Sequence, residues 1–126
     1  MGYRFHHMHL ICRDLEGMIR FFSEVLGARL VLRRKFGTAD GASLDLNGAT
    51  INLRVAKGDE VLEDGSVARY GYDHLGVEVD DFEKAYDELR SRGFEFYTPI
   101  QESHGIRFAF FKGPEDIRVE LVQRIG

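Results

Sequence analysis

The sequence predicts an α+β fold built from a duplicated βαβββ module. Three observations carry that expectation. Stretches of two-residue alternation are interrupted twice by an apolar stripe at helical spacing. The second half then repeats the first. His7 and His74 each open a strand, and Asp14 and Asp81 each follow seven residues later, 67 residues apart in both cases. Finally, each helical stripe closes on a glycine, Gly27 and Gly93. Two copies at so long a period indicate a duplicated module, not a solenoid.

Residues 5–12 alternate as a strand. Asp14 is placed to cap a helix, because its short carboxylate can accept from the orphan N–H groups of a first turn. Leu15, Met18, Ile19, Phe22 and Leu26 then recur at helical spacing. Gly27 stands where a helix end needs a positive φ. Strands follow at about 29–35, 42–47 and 49–55, with Asn47-Gly48 as the hairpin turn between the last two. A polar stretch from Lys57 to Asp73 reads as a linker. His74 to Val79 alternates again, Asp81 caps, and Phe82, Ala85, Tyr86 and Leu89 form the second stripe up to Gly93. Strands are expected at about 94–98, 106–111 and 117–123, with a turn through Gly113-Pro114-Glu115-Asp116. One domain over residues 1–126 is therefore expected, with module one at about 4–56, a linker at 57–72 and module two at about 73–126.

Composition excludes several classes. The chain is 44% hydrophobic and 30% charged, which is ordinary for a soluble globular protein. A net charge of -4 and the lack of any Lys/Arg-rich run argue against a nucleic-acid partner. No apolar run approaches the length of a bilayer span, so no membrane partner is expected. The N-terminus lacks the apolar core of a signal peptide, and Cys12 is the only cysteine. A disulfide framework is excluded, and a cytoplasmic location is the simplest expectation. Cys12 itself reads as a small buried apolar side chain, not a nucleophile.

Strand parity sorts the remaining residues. Met8, Leu10 and Cys12 share one face of the first strand; His7, His9 and Ile11 share the other. Leu75, Val77 and Val79 oppose His74, Gly76 and Glu78. Ile51 and Leu53 oppose Asn52 and Arg54, and Val119 and Leu121 oppose Arg118 and Glu120. The apolar faces must pack on the helices. The other faces carry His7, Asn52, His74 and Glu120 at matching places of the two halves. A polar sheet face is usually only solvated. Recurrence in two modules argues for more, as does Gly76 in mid-strand, which suggests a close approach by a ligand or another backbone. Two imidazoles and a carboxylate converging on one point would suit a divalent metal.

At "HMHLICRDLEGMIRFFSEVLG" (7–27), "HLGVEVDDFEKAYDELRSRG" (74–93) and "FAFFKGPEDIRVEL" (108–121), the chain resembles the vicinal oxygen chelate superfamily. That group includes glyoxalase I, methylmalonyl-CoA epimerase, extradiol dioxygenases, and fosfomycin- and bleomycin-resistance proteins. In look it is most similar to lactoylglutathione lyases. The resemblance implies an open eight-stranded mixed sheet around a metal-centred cavity, with the helices on its outer face. It also implies a metal held by His7, Asn52, His74 and Glu120. Asn52 departs from the family pattern, where Glu or Gln is usual. Either its amide oxygen binds, or water fills that position.

The resemblance implies one divalent ion (Ni, Co, Mn, Zn or Fe), a small-molecule substrate, a homodimer, and glutathione or another thiol as a candidate co-substrate. Glu120 would be the catalytic base, moving a proton at a chelated α-oxo or α-hydroxycarbonyl compound. His9, Arg54, Arg118 and Glu78 are the candidate substrate-binding residues. The two arginines either hold an anionic group or balance nearby carboxylates. His6 reads as structural, and His104 as an exposed residue or a cavity lid. The alternatives are an enzyme similar to methylmalonyl-CoA epimerase, and a metal-free drug- or metabolite-binding protein similar to bleomycin-resistance proteins.

Overall fold

The computed structural model of the chain describes residues 2–63 and 65–126. They divide into two compact units, residues 1–62 and 63–126. The first contains β1 (His7–Cys12), α1 (Leu15–Arg20), a π-helical turn (Phe21–Val25), β2 (Arg29–Phe36), β3 (Ala39–Leu46) and β4 (Ala49–Val55). The second contains β5 (Leu75–Glu78), α2 (Phe82–Ser91), β6 (Gln101–Ser103), β7 (Ile106–Lys112), a short 3-10 turn (Pro114–Asp116) and β8 (Arg118–Arg124). Each unit is thus a βαβββ module with its own four-stranded mixed sheet. The strand orders are β1-β4-β3-β2 and β5-β8-β7-β6, so the first and last strands of each module lie side by side in parallel.

The caps fall where the sequence puts them. The Asp14 carboxylate accepts from Gly17 N–H at 3.0 Å and that of Asp81 from Lys84 N–H at 3.2 Å. Such a cap contributes about 1 kcal/mol. Gly93, at φ 94°, closes α2: its N–H reaches the Arg90 carbonyl and that of Phe94 reaches the Leu89 carbonyl, both at 3.0 Å. Gly27, at φ 81°, closes the first helix over a wider loop, with Ala28 N–H donating to the Phe22 carbonyl at 2.8 Å. The first helix has one residue more than the second between capping aspartate and glycine. The π turn absorbs it, and both Phe21 and Phe22 become buried.

Parity in the last strands holds. Ile51 and Leu53 are buried with Met18, Ile19 and Phe22 in the first core, and Val119 and Leu121 with Phe82, Leu89 and Phe111 in the second. Cys12 is buried, and its Sγ donates to the Arg54 carbonyl at 3.4 Å. Asn47 and Gly48 both have positive φ, at 48° and 95°, as a two-residue hairpin turn between β3 and β4 requires.

One element differs from expectation. No strand spans 94–98; the paired strand is β6, further along. Residues 95–97 do run beside β7: Lys112 N–H donates to the Glu95 carbonyl and Tyr97 N–H to the Phe110 carbonyl, both at 3.1 Å, and Phe96 bridges Phe111. The ladder stops at Thr98, whose side-chain Oγ1 takes the Phe110 N–H at 2.8 Å. Pro99 follows and has no N–H to give. Pairing resumes at Gln101 opposite Phe108.

Candidate metal centre

Strand register decides which polar side chains can meet. In the second unit Gly76 is the parallel register partner of Glu120. His74 lies two residues before Gly76, so its imidazole and the Glu120 carboxylate approach on a diagonal across a residue without a side chain. His74 Nε2 and Glu120 Oε1 are 3.2 Å apart. A Cβ at position 76 would stand 3.6 Å from that same oxygen. Glycine therefore keeps the space beside the carboxylate open.

The other ring nitrogen of His74, Nδ1, lies 2.8 Å from Asp73 Oδ2. Both neighbours of the ring are carboxylates, which only accept. Asp73 is the nearer, at 2.8 against 3.2 Å, so the single N–H of a neutral ring belongs on Nδ1. In neutral His74 the Nε2 lone pair then faces a Glu120 oxygen, acceptor against acceptor. A metal ion held at Nε2 would relieve that contact. The Asp73 carboxyl is held below its usual range first by the His74 hydrogen bond, against the opposing effect of desolvation, with Arg118 adding a smaller lowering. Arg118 Nη1 lies 3.7 Å from Asp73 Oδ1. Phe110 meets the His74 ring edge-on at 4.8 Å between centroids, and Tyr97 lies beyond Phe110 at 6.4 Å. Burial pushes the Tyr97 and Tyr72 hydroxyls up, so both stay protonated.

The first unit is arranged differently. The register partner of Asn52 is His9, not a glycine. The His9 ring packs on Phe36 at 4.5 Å, and the Arg34 guanidinium lies over the same phenyl ring. Partial burial, then Arg54, His7 and Arg34, hold the His9 pKa down, so the imidazole is neutral near pH 7. Asn52 is buried, and its Oδ1 accepts from Ser43 Oγ at 2.6 Å. His7 Nδ1 lies 2.8 Å from Nδ1 of His6.

Arg54 makes a bidentate ion pair with Glu60, at 2.8 and 2.7 Å, and also donates to the Val55 carbonyl. Glu60 in turn accepts from Lys57 N–H, and its carboxyl is held down to about 2, first by Arg54 and then by that backbone donor. Glu78 pairs with Arg124 at 3.1 Å. His104 is exposed at φ 51°, beside Ser103 Oγ. Among the described residues, no three His, Cys, Asp or Glu side chains are grouped so as to hold a metal; the second unit supplies the His74–Glu120 pair. Sequence reasoning missed Asp73, Ser43, Glu60 and Phe110. Two of these were within reach. The Asn47-Gly48 turn fixes the β3–β4 register and so puts Ser43 opposite Asn52, and parity puts Phe110 on the face of Glu120.

Residues 4–121 match the sequence model of the Glyoxalase/Bleomycin resistance protein/Dioxygenase superfamily. The chain belongs to that superfamily. Within it, the chain is 29% identical over 124 residues to the uncharacterized protein YwkD of Bacillus subtilis, covering 94% of this chain and 95% of that one. It is 27% identical over 130 residues to a lactoylglutathione lyase of Arabidopsis thaliana, and there it spans only 44% of the relative's length. The solved glyoxylase/bleomycin resistance protein/dioxygenase domain from Frankia sp. EAN1pec superposes with a TM-score of 0.80 at 27% identity, over 98% of this chain and 99% of that one. A glyoxalase family protein from Bacillus cereus superposes with a TM-score of 0.84 over 100% and 97% of the two chains. Its 19% identity speaks for the shared superfamily fold alone.

Proposed function

We propose that the protein is a metal-dependent lyase or isomerase of the glyoxalase I type, acting on a small α-oxo or α-hydroxycarbonyl substrate. The observation that carries this reading is the approach of His74 Nε2 to Glu120 Oε1 at 3.2 Å, with Asp73 nearer still to Nδ1 at 2.8 Å. His7, His74 and Glu120 are the proposed protein ligands. Asn52 or water takes the fourth position, and the Ser43 hydrogen bond on Asn52 Oδ1 favours water. A bound divalent ion would supply Lewis acidity toward a substrate carbonyl.

Glu120 is the base. It takes the proton from the hydroxyl-bearing carbon beside that carbonyl and returns it to the carbonyl carbon, while the hydroxyl proton passes to the former carbonyl oxygen, so the net change is an isomerisation. A single carboxylate suits this shuttle. A two-base epimerisation would need a second one, yet Asn52 is neutral and Glu78 is paired with Arg124. The kinship to a lactoylglutathione lyase supports a thiol adduct as substrate. His9, neutral and on the face of Asn52, is proposed to hydrogen-bond the substrate. Arg54 and Arg118 are proposed to meet its anionic groups, Arg54 in exchange for Glu60. The protein is proposed to act as a cytoplasmic homodimer. Among the described residues, no helix is long and apolar enough to cross a membrane.

The test is turnover of the adduct of a small α-oxoaldehyde with glutathione by protein loaded with each of Ni, Co, Mn, Zn and Fe. Loaded wild type should be active, and Glu120→Gln should lose at least about a hundredfold. Tight binding of metal without turnover of this adduct, but with transfer of a thiol to an epoxide, would replace the isomerase reading with a transferase. Drug binding by metal-free protein would replace it with a resistance-type binder.

A further inference from the structure

The geometry points to Asp73 as a positioning residue that fixes the tautomer of His74. This rests on the metal-site reading for its purpose, but the hydrogen bond itself exists without metal. Asp73 precedes His74 in sequence, and strict strand parity would send its side chain to the opposite face. It lies outside β5, however, two residues after Gly71, whose φ of 105° turns the chain. The carboxylate can therefore fold back onto Nδ1, at 2.8 Å. Arg118 holds its other oxygen from 3.7 Å.

The first module repeats the arrangement with different chemistry. His6 stands 67 residues before Asp73 in the repeat, and its Nδ1 lies 2.8 Å from Nδ1 of His7. In both modules the preceding side chain occupies Nδ1 and leaves Nε2 as the outward nitrogen. An imidazole can donate or accept, so His6 does not fix the proton on His7. A carboxylate only accepts, and Asp73 at 2.8 Å is nearer to the ring than Glu120 at 3.2 Å, so Asp73 fixes the proton on Nδ1 of His74. Its negative charge also makes Nε2 a stronger donor to a cation. Without Asp73, the proton of neutral His74 should move to Nε2, where Glu120 Oε1 at 3.2 Å would accept it. Nε2 would then be blocked as a ligand.

The test uses the ring ¹⁵N spectra of metal-free wild type, Asp73→Ala and Asp73→Glu, at a pH about two units above the ordinary histidine range. Circular dichroism checks that each is folded. Wild-type His74 should be protonated on Nδ1, Asp73→Ala on Nε2, and Asp73→Glu on Nδ1 again. Cobalt affinity, read from its visible spectrum, should fall about 10–100-fold in Asp73→Ala and recover in Asp73→Glu. A wild-type ring protonated on Nε2, or an Asp73→Ala ring indistinguishable from wild type, would overturn the assignment. If even wild type takes up no cobalt, the metal reading fails, and the tautomer result still decides for or against Asp73.

Discussion

Asn52 accepts a hydrogen bond from Ser43 at 2.6 Å, and both side chains are buried. Asn52 holds the place in β4 that Glu120 holds in β8, yet its carbonyl oxygen is engaged within its own sheet. Removing it strands a buried hydroxyl, which costs about 1–3 kcal/mol. Asn52→Ala should therefore lose that much stability in urea denaturation, while metal affinity changes by less than about tenfold. A loss of affinity above a hundredfold would show that the amide oxygen is a ligand after all.

Gly76 and His9 occupy equivalent register positions, and only the glycine leaves its neighbour free. A methyl at position 76 would lie in ordinary van der Waals contact with Glu120 Oε1 at 3.6 Å. Gly76→Ala should fold and bind metal with little change. The branched side chain of Gly76→Val should push the carboxylate off His74 and weaken metal binding at least about tenfold. Calorimetric titration of the two variants checks this, and equal affinities would contradict it.

The Arg54–Glu60 pair has a defined pH signature. The Glu60 carboxyl lies at about 2 in the folded chain against an ordinary 4.5. A lowered folded pKa contributes stability above the unfolded value, and that contribution is lost as pH falls from 4.5 toward 2. Wild type should therefore be more stable than Glu60→Gln at neutral pH, with the difference shrinking through that window. Thermal melts across the acid range measure it; a constant difference would mean that the carboxylate charge is not what matters.

Gly41 is fixed by packing. A Cβ there would collide with the backbone oxygen of Leu53 and the ring of Phe36. Gly41→Ala should destabilise by about 1–3 kcal/mol, the usual cost of overpacking. An unchanged denaturation midpoint would show that β3 and β4 can separate freely at this point.

Much of this fold could be read from the sequence because its signals are local. Asp14, Asp81, Gly27, Gly93 and Asn47-Gly48 each specify a cap or a turn within a few residues. The strand at 94–98 was misplaced because a Thr98 hydroxyl substitutes for a ladder carbonyl, which no alternation pattern records. The π turn was invisible because Leu15, Met18, Ile19 and Phe22 already satisfy an α-helical stripe; only the burial of Phe21 beside Phe22 reveals it. At the site, parity put His7, His9, Asn52, His74 and Glu120 on the polar faces of their strands. It could not rank their contacts, which depend on register and on loop residues. Asp73 folds back from irregular backbone, and Glu60 arrives from a stretch without periodicity.

Metal titration of the purified chain tests the proposed centre most directly. Wild type stripped of metal and then titrated with Ni, Co, Mn, Zn or Fe should bind one ion per chain and keep it through desalting, for at least one of the five. His74→Ala and Glu120→Gln should each lose that retention. Wild type that retains less than one ion for all five, or a His74→Ala variant that retains as much as wild type, would contradict the metal centre.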